Sequence, residues 1–180
     1  MKIKAIETKY NGYRFRSRTE ARWAIFFDAL KIDYDYEKEG YSFDGEKYLP
    51  DFWLSTVRMW GEVKPGYPTQ NEKHLMSCLA NMTGYPVLML SGTPENKPYT
   101  AIMPDGSEYE YCLTNYHDYP QKEHRFYASP GGEDDSHWND TSLACAIAKG
   151  ARFEHSETME VSAVRGAACM QWHEIEMGVM

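Results

Sequence analysis

Two short apolar runs on either side of a mostly polar four-residue stretch constrain the fold more than any other part of the sequence: YLPDFWL, then STVR, then MWGEVK, residues 48–64. Aromatic and aliphatic runs of this length around a short polar turn predict a β-hairpin. If Leu54 and Met59 close the turn, counting back along both strands puts Asp51 directly opposite Glu62. Lys64 points the same way as Glu62, because side chains alternate along a strand. The sequence therefore predicts two carboxylates and one amine on one face of a hairpin.

The opposed carboxylates are an electrostatic conflict. Like charges at directly opposite strand positions destabilise a sheet, by up to about 1 kcal/mol. A divalent cation would relieve the conflict, since Mg²⁺ is held by one or two carboxylates and completes its shell with water and phosphate oxygens. The alternative is that Asp51, Glu62 and Lys64 form the polar face of an exposed hairpin. The pairing of Pro50-Asp51 with Glu62-Val63-Lys64 favours a site for Mg²⁺ or Mn²⁺.

A helix is predicted ahead of the hairpin, over residues 18–30. The preceding S-R-T-E, which starts at Ser17, is a capping box in which a hydroxyl and a glutamate satisfy free amides at the helix start. Glu20 would accept the amide proton of Ser17. Apolar residues at helical spacing predict a buried stripe of Trp23, Ala24, Phe27 and Leu30. Because Glu20 lies in line with this stripe, we expect it to point inward, towards the sheet.

The remaining pattern indicates an α/β fold with a mixed sheet. Residues 33–43 alternate aromatic and charged side chains, as a half-exposed strand or strand pair at a sheet edge would. A Pro-Gly-Tyr-Pro break follows the hairpin, then a helix over residues 69–83 closed by Gly84. The apolar run PVLML, residues 86–90, predicts a buried strand. The predicted order is α-β-β-β-α-β, with helices flanking the sheet.

The C-terminal part carries a weaker pattern. TAIMPDGSEYEYCL, residues 100–113, predicts a hairpin, and a long polar loop follows it. A helix over residues 141–149, with Asp140 as its candidate cap, is expected to pack on the core. We therefore divide the chain into a core, residues 1–110, and a C-terminal extension of a loop plus a helix, residues 111–180.

Composition fits a globular protein in a reducing compartment. The 180 residues are 42% hydrophobic, enough to bury one core. No stretch approaches the roughly 20 apolar residues of a membrane span, and the N-terminal residues contain no apolar run of signal-peptide type. We expect a soluble intracellular protein. The four cysteines form no C-x-x-C pair, which favours free thiols; a zinc site that uses C-terminal histidines and cysteines stays open.

Charge is unevenly distributed. The net charge of −8 argues against a protein that coats DNA nonspecifically. Through Ile32, however, eight basic residues face three acidic ones, a local charge of +5. Such a basic arm is compatible with phosphate contacts, and a solvated surface is the alternative. The candidate nucleic-acid contacts are Arg14, Arg16, Arg18 and Arg22 of the arm and Lys73 of the second predicted helix.

Residues 13–90 resemble the PD-(D/E)XK nuclease superfamily, in particular its small phage and prophage members. The resemblance lies in the opening RFRSRTEARWAIFFDAL, in Pro50-Asp51, in the E-V-K that ends at Lys64, and in the later ARFEH, residues 151–155. It implies a restriction-endonuclease-like core with Glu20, Asp51, Glu62 and Lys64 as the active site. It also implies that Asp51, Glu62 and the Val63 carbonyl bind the metal, that Lys64 serves the attacking water, and that Glu20 holds a metal-bound water or a second ion.

The expected function is therefore phosphodiester hydrolysis in DNA. We expect a phage-encoded, Mg²⁺-dependent (or Mn²⁺-dependent) deoxyribonuclease that works in the cytoplasm of the bacterial host, without a membrane partner. RNA or branched junctions as substrates stay open, as does a homodimer. The alternative from a different class is a non-catalytic phage protein that binds or inhibits a host nucleic-acid-processing or defence protein.

Overall fold

A mixed sheet forms the centre of the fold in the computed structural model, which describes residues 5–113, 136–153 and 172–175, with the backbone alone for residues 136–139 and 172–175. In chain order, the elements are β1 (Thr8–Tyr10), β2 (Tyr13–Phe15), α1 (Arg18–Ala29), β3 (Tyr34–Tyr36), β4 (Gly40–Phe43), β5 (Glu46–Tyr48), β6 (Phe52–Leu54), β7 (Met59–Lys64), α2 (Gln70–Thr83), β8 (Val87–Ser91), β9 (Tyr99–Ile102), β10 (Glu108–Tyr111), α3 (Ser136–Gly150) and β11 (Trp172–Ile175).

The central sheet has six strands in the order β10-β9-β8-β7-β6-β3. β3, β6 and β7 are antiparallel neighbours, and β8 runs parallel to β7. A parallel pair needs a crossover connection, which α2 provides. Along the chain, α1, β3, β6, β7, α2 and β8 follow one another in the predicted order α-β-β-β-α-β. The mixed α/β fold is thus confirmed, with β4 and β5 inserted between β3 and β6.

The hairpin has the predicted register. Leu54 pairs with Met59 across the four-residue turn, and Phe52 pairs with Gly61. Residues 55–58 form this turn, with Arg58 in the left-handed region at φ 52°. Extending the register by one residue places Asp51 opposite Glu62. The start of β6 and the ends of β7 and β8 therefore lie at the same end of the sheet.

The helices α1 and α2 cover opposite faces of the central sheet. The predicted stripe of α1 is fully buried, and Leu88 and Leu90 of β8 belong to the same apolar cluster. Val87 and Met89 point the other way, into a cluster with the buried residues of α2. A strand that is apolar on both faces in this way is typical of a parallel strand inside a layered α/β fold. The predicted buried strand at residues 86–90 is confirmed.

The starts of α1 and α2 are each capped by a hydroxyl side chain. Ser17 accepts the amide proton of Glu20 at 3.2 Å. Thr69 is the N-cap of α2, where Glu72 completes a capping box. The α2 helix ends at Gly84, which adopts φ 71° as a left-handed C-cap. Such a residue is most often glycine, because a side chain is disfavoured in that conformation.

Residues 33–43 differ from their prediction in one respect. β3 is the expected edge strand, but all four residues of β4 are buried rather than half-exposed. The reason is that β4 lies in a second sheet, between β5 and the parallel strand β11. Tyr41 and Phe43 of β4 pack into the apolar cluster of α2.

The C-terminal helix is longer than predicted. It begins at Ser136, so Asp140 lies inside α3 and is not its cap. Ala144, Cys145 and Ala148 pack into the cluster of α1, which ties α3 to the core. The division at residue 110 stays a prediction. The predicted polar loop, residues 117–140, lies outside the described residues as far as residue 135, and its last five residues belong to α3.

The predicted free thiols are confirmed for Cys78, Cys112 and Cys145. Cys169, His117 and His124 lie outside the part of the chain that the structure describes, so the zinc alternative stays untested there. No helix in the described ranges combines the length and the apolar character needed to cross a bilayer.

We expect Gly61→Ala to destabilise the protein. A methyl group at Gly61 would lie 3.1 Å from Leu90 Cδ1 and 3.3 Å from Phe52 Cβ. Overpacking of this kind costs about 1–3 kcal/mol. Urea unfolding measures the loss, with Gly66→Ala as the matched control, because a methyl group there meets no atom within 4 Å. Equal unfolding midpoints for the two variants would contradict the packing around Gly61.

Candidate active site

A cavity of ≈ 500 Å³ opens at the end of the sheet where β6 begins and β7 ends. Six residues singled out from the sequence line it: Arg16, Glu20, Asp51, Glu62, Val63 and Lys64. They come from the loop before α1, from α1 itself and from both arms of the hairpin. The fold thus brings together the four predicted catalytic residues and the backbone position predicted to bind metal.

The backbone of β7 determines how closely Asp51 and Glu62 approach. Trp60 donates its amide to Pro86 on the β8 side, so every second residue of β7 directs its backbone groups that way. Glu62 shares this orientation with Trp60, so its backbone groups point towards β8 rather than towards Asp51. Opposed residues of this type are the closer kind of antiparallel pair, with Cα atoms ~4.5 Å apart. The side chains of Asp51 and Glu62 therefore branch from Cα atoms that lie close together on neighbouring strands.

Pro50 changes the hydrogen bonding of the next pair. Val63 directs its backbone towards β6, where the register places Pro50, which has no N–H to donate. The Val63 carbonyl therefore faces a residue that cannot donate a hydrogen bond to it. The Val63 amide donates to the Asp51 side chain, at 2.7 Å from Oδ2. The amide contact fixes the Asp51 carboxylate, and Val63 itself lines the cavity.

Negative charge is undercompensated in this cavity. The pKa of Asp51 is raised well above its usual range by burial and by the charges of Glu62 and Glu20, against which the Val63 amide and Lys64 act only partly. Burial likewise raises the pKa of Glu62, although Lys64 and Tyr48 oppose the shift. The site therefore favours binding of a proton or of a cation.

Lys64 lies between two carboxylates. Its amine is 2.9 Å from Glu62 Oε1 and 2.9 Å from Glu72 Oε1. Burial lowers the pKa of Lys64, but the two glutamates outweigh burial and the net pKa is raised. Glu62 is only 4% exposed, so these residues are not the polar face of an exposed hairpin.

Glu20 points inward as predicted and is 9% exposed. Its capping contact differs from the expected one. The carboxylate accepts the amide of Arg16 at 3.0 Å, rather than that of Ser17, and the Ser17 hydroxyl at 2.6 Å. Tyr36 donates its hydroxyl to the same carboxylate at 2.5 Å. Glu20 thus joins the loop before α1 to β3, while its charge acts on Asp51.

Two residues of the site were missed from the sequence. Tyr48 donates its hydroxyl to Glu62 Oε2 at 2.9 Å, and β5 places it there from the second sheet, which no local pattern indicates. Glu72 could have been found, since T-Q-N-E from Thr69 is a capping-box pattern. The Thr69 amide and Lys64 lower the pKa of Glu72 to about 2.

The predicted basic contacts are dispersed. Arg16 lines the cavity and pairs with Glu37 at 2.6 Å. Arg14 pairs with Glu7, and Lys73 pairs with Glu108 at 2.8 Å. Of the five predicted contacts, Arg16 is among the described residues that line the cavity. The other four are not: Arg14, Arg18, Arg22 and Lys73. Phosphate contact by any of the five stays a prediction.

The donors suit a hydrated cation better than an enclosed one. Within the described ranges, no group of three or more histidine, cysteine or acidic side chains is arranged to hold a metal ion. Asp51, Glu62 and the Val63 carbonyl form a smaller set of oxygens. Mg²⁺ is usually bound through one or two carboxylates and keeps several waters, so this set fits its chemistry.

The sequence matches no protein-family model and no curated protein. Among solved structures, the chain is similar to that of a candidate nuclease belonging to DUF820 from Anabaena variabilis. The identity is 8% and the TM-score 0.40, over 81% of this chain and 94% of that chain.

Lowering the pH from neutral should reduce the destabilisation that Asp51 causes in the metal-free protein. The folded-state pKa of Asp51 lies above the unfolded value of about 3.9, so between the two the folded protein binds more protons. The free energy of unfolding then falls as the pH rises through this window. Asp51→Asn should flatten the dependence in denaturant titrations with chelator, run from about pH 4 upwards.

The control for this measurement is Asp105→Asn. Asp105 is an exposed turn residue whose pKa is lowered by hydrogen bonds from Ser107. A lowered pKa gives the opposite sign, so this variant should not flatten the slope. A slope that Asp51→Asn leaves unchanged would mean that Asp51 does not carry the excess charge.

Proposed function

We propose that the protein is a metal-dependent nuclease of PD-(D/E)XK type that hydrolyses phosphodiester bonds of DNA. The observation that carries the proposal is the convergence of Asp51, Glu62, Val63 and Lys64 on one cavity, with more carboxylate charge than the neighbouring amine balances. A fold does not retain such a conflict for stability, because opposed buried carboxylates weaken it. A cation-binding role explains the arrangement.

Asp51, Glu62 and the Val63 carbonyl would hold Mg²⁺ or Mn²⁺. When bound, the cation would lower the pKa of a water molecule and stabilise negative charge on the phosphate. Tyr48 fixes one oxygen of Glu62 by its hydroxyl, and the Val63 amide fixes one oxygen of Asp51. Partners of this kind orient metal ligands and support their affinity.

Lys64 supplies the positive charge of the chain itself. Its side chain is 22% exposed and lines the cavity, so the amine can donate hydrogen bonds to the attacking water or to a phosphate oxygen. Glu20 would act through its charge and through a second ion or a water, because its carboxylate already accepts several hydrogen bonds from the chain.

DNA as substrate and a phage origin, with action in the host cytoplasm, belong to the same proposal. They are supported by the motif set that begins with RFRSRTEARWAIFFDAL. A non-catalytic protein that binds a host protein is the competing function. Its support is the −13 charge that the +5 of the basic arm leaves on the rest of the chain. Glu62 is buried, so it cannot contribute to a protein-binding surface.

We expect purified protein to cleave DNA with Mg²⁺ or Mn²⁺ and to stop in chelator. Supercoiled, linear, single-stranded and branched DNA, with RNA in parallel, identify the substrate. Glu62→Gln keeps the side-chain shape but removes a ligand charge, so cleavage should fall by about two orders of magnitude or more. Glu46→Gln on β5, an exposed position away from the cavity, is the control.

Two outcomes would oppose the proposal. Cleavage undiminished in chelator would exclude the cation. Absence of cleavage of every substrate in both metals would leave the non-catalytic protein as the better interpretation. Cleavage of RNA alone would keep the chemistry and change the substrate.

Arg16 is expected to contact a DNA phosphate next to the cavity. Its guanidinium side chain is 60% exposed although paired with Glu37. Arg16→Gln should weaken binding to all sequences alike and reduce the slope of log affinity against log salt by about one. Arg14→Gln is the matched comparison, since Arg14 is also exposed and ion-paired but does not line the cavity. Equal slopes for wild type and Arg16→Gln would remove Arg16 from the interface.

A further inference from the structure

Lys64 has two carboxylate partners that come from different elements. Glu62 lies two residues before it on β7, and Glu72 lies in the first turn of α2. Each carboxylate is 2.9 Å from the Lys64 amine. The second contact is partly shielded from solvent, since the Lys64 side chain is 22% exposed and the Glu72 side chain 34%.

The Glu72 carboxylate is itself held in place. Its Oε2 accepts the Thr69 amide at 2.7 Å and the Thr69 hydroxyl at 2.8 Å, while Oε1 faces Lys64. Both oxygens are therefore used, one for the helix cap and one for the amine. A side chain bound at both oxygens loses little additional freedom in holding Lys64, so it is a rigid anchor.

The two partners would respond differently to a cation. Glu62 is a proposed metal ligand, and a lysine that contacted Glu62 alone would compete with the cation for it. Glu72 attracts the same amine from the side of α2. It is not one of the proposed metal ligands. Lys64 would consequently keep one anchor at the cavity while Glu62 binds the cation.

We propose that Glu72 is the positioning residue for Lys64, holding its amine at the cavity and limiting its competition with the cation for Glu62. This inference rests on the proposed nuclease function. It extends the site from the hairpin to the start of α2, through a residue that sequence patterns place in a helix cap alone.

Glu72→Gln separates positioning from capping. The amide oxygen can still accept the Thr69 amide and keep the cap. The amide nitrogen then faces Lys64, and both groups are donors, so the contact is lost. Thr69→Ala does the reverse: it weakens the cap but leaves the residue 69 amide to hold Glu72 and leaves Oε1 free for Lys64.

Steady-state cleavage kinetics provide the first test. Glu72→Gln should lower kcat by about tenfold to a hundredfold, because a misplaced catalytic group loses orientation, while KM for DNA stays within about twofold. Thr69→Ala should lower the melting temperature and keep kcat. Glu46→Gln removes an equal charge from a position that bonds Asn71 of the same helix, and it should keep both.

Two measurements do not depend on turnover. In chelator, Lys64→Met and Glu72→Gln should be non-additive in melting temperature, since both remove one contact. Calorimetric titration with Mg²⁺ should give several-fold weaker binding for Glu72→Gln, because Lys64 then pairs with Glu62 alone. The double variant Lys64→Met/Glu72→Gln should recover part of that affinity.

The outcomes distinguish this inference from the function on which it rests. An inactive wild-type protein would overturn both. An active wild type together with Glu72→Gln at wild-type kcat and Mg²⁺ affinity would overturn the positioning role alone. Equal loss of kcat in Thr69→Ala and Glu72→Gln would assign the effect to the helix cap and would also overturn it.

Discussion

The close approach of Asp51 and Glu62 is the constraint on which the rest of the site depends. Two carboxylates on neighbouring strands repel, and burial increases the cost of each charge. The surrounding elements reduce that cost without removing it. Lys64 and Tyr48 bind Glu62, and the Val63 amide binds Asp51. Burial and the charges of Glu62 and Glu20 still leave the pKa of Asp51 raised, and for this reason we propose a cation in the cavity.

Local backbone chemistry produces this arrangement more than global shape does. The hairpin register brings the two acids together, and Pro50 interrupts the hydrogen-bond ladder one residue further on. The Val63 carbonyl opposite Pro50 is thereby left without a backbone donor, while the Val63 amide donates to the Asp51 side chain. A residue able to donate at position 50 would compete for the Val63 carbonyl. The proline is therefore part of the site, although its side chain contributes no charge.

Much of this was predictable because the determinants are local in sequence. A four-residue turn between apolar arms fixed the pairing of Leu54 with Met59, and helical spacing identified the buried stripe that carries Glu20 inward. Contacts between distant segments were not predictable in the same way. Tyr48 reaches Glu62 from a separate sheet, and β4 is buried because β11, more than 120 residues later, pairs with it. Glu72 has a local signal, but that signal indicates a cap and says nothing of Lys64.

At the starts of α1 and α2, one glutamate takes part in the helix cap and also contributes charge to the site. Glu20 accepts hydrogen bonds from the start of α1, and Glu72 does so at α2, and both line the cavity. Carboxylates near helix N-termini are stabilised by the helix dipole, so negative charge at these positions destabilises the fold less than it would elsewhere. A DNA phosphate would add further negative charge to a cavity that already holds Asp51 and Glu62. Under the proposed function, binding of the cation and binding of DNA are therefore linked, and each strengthens the other.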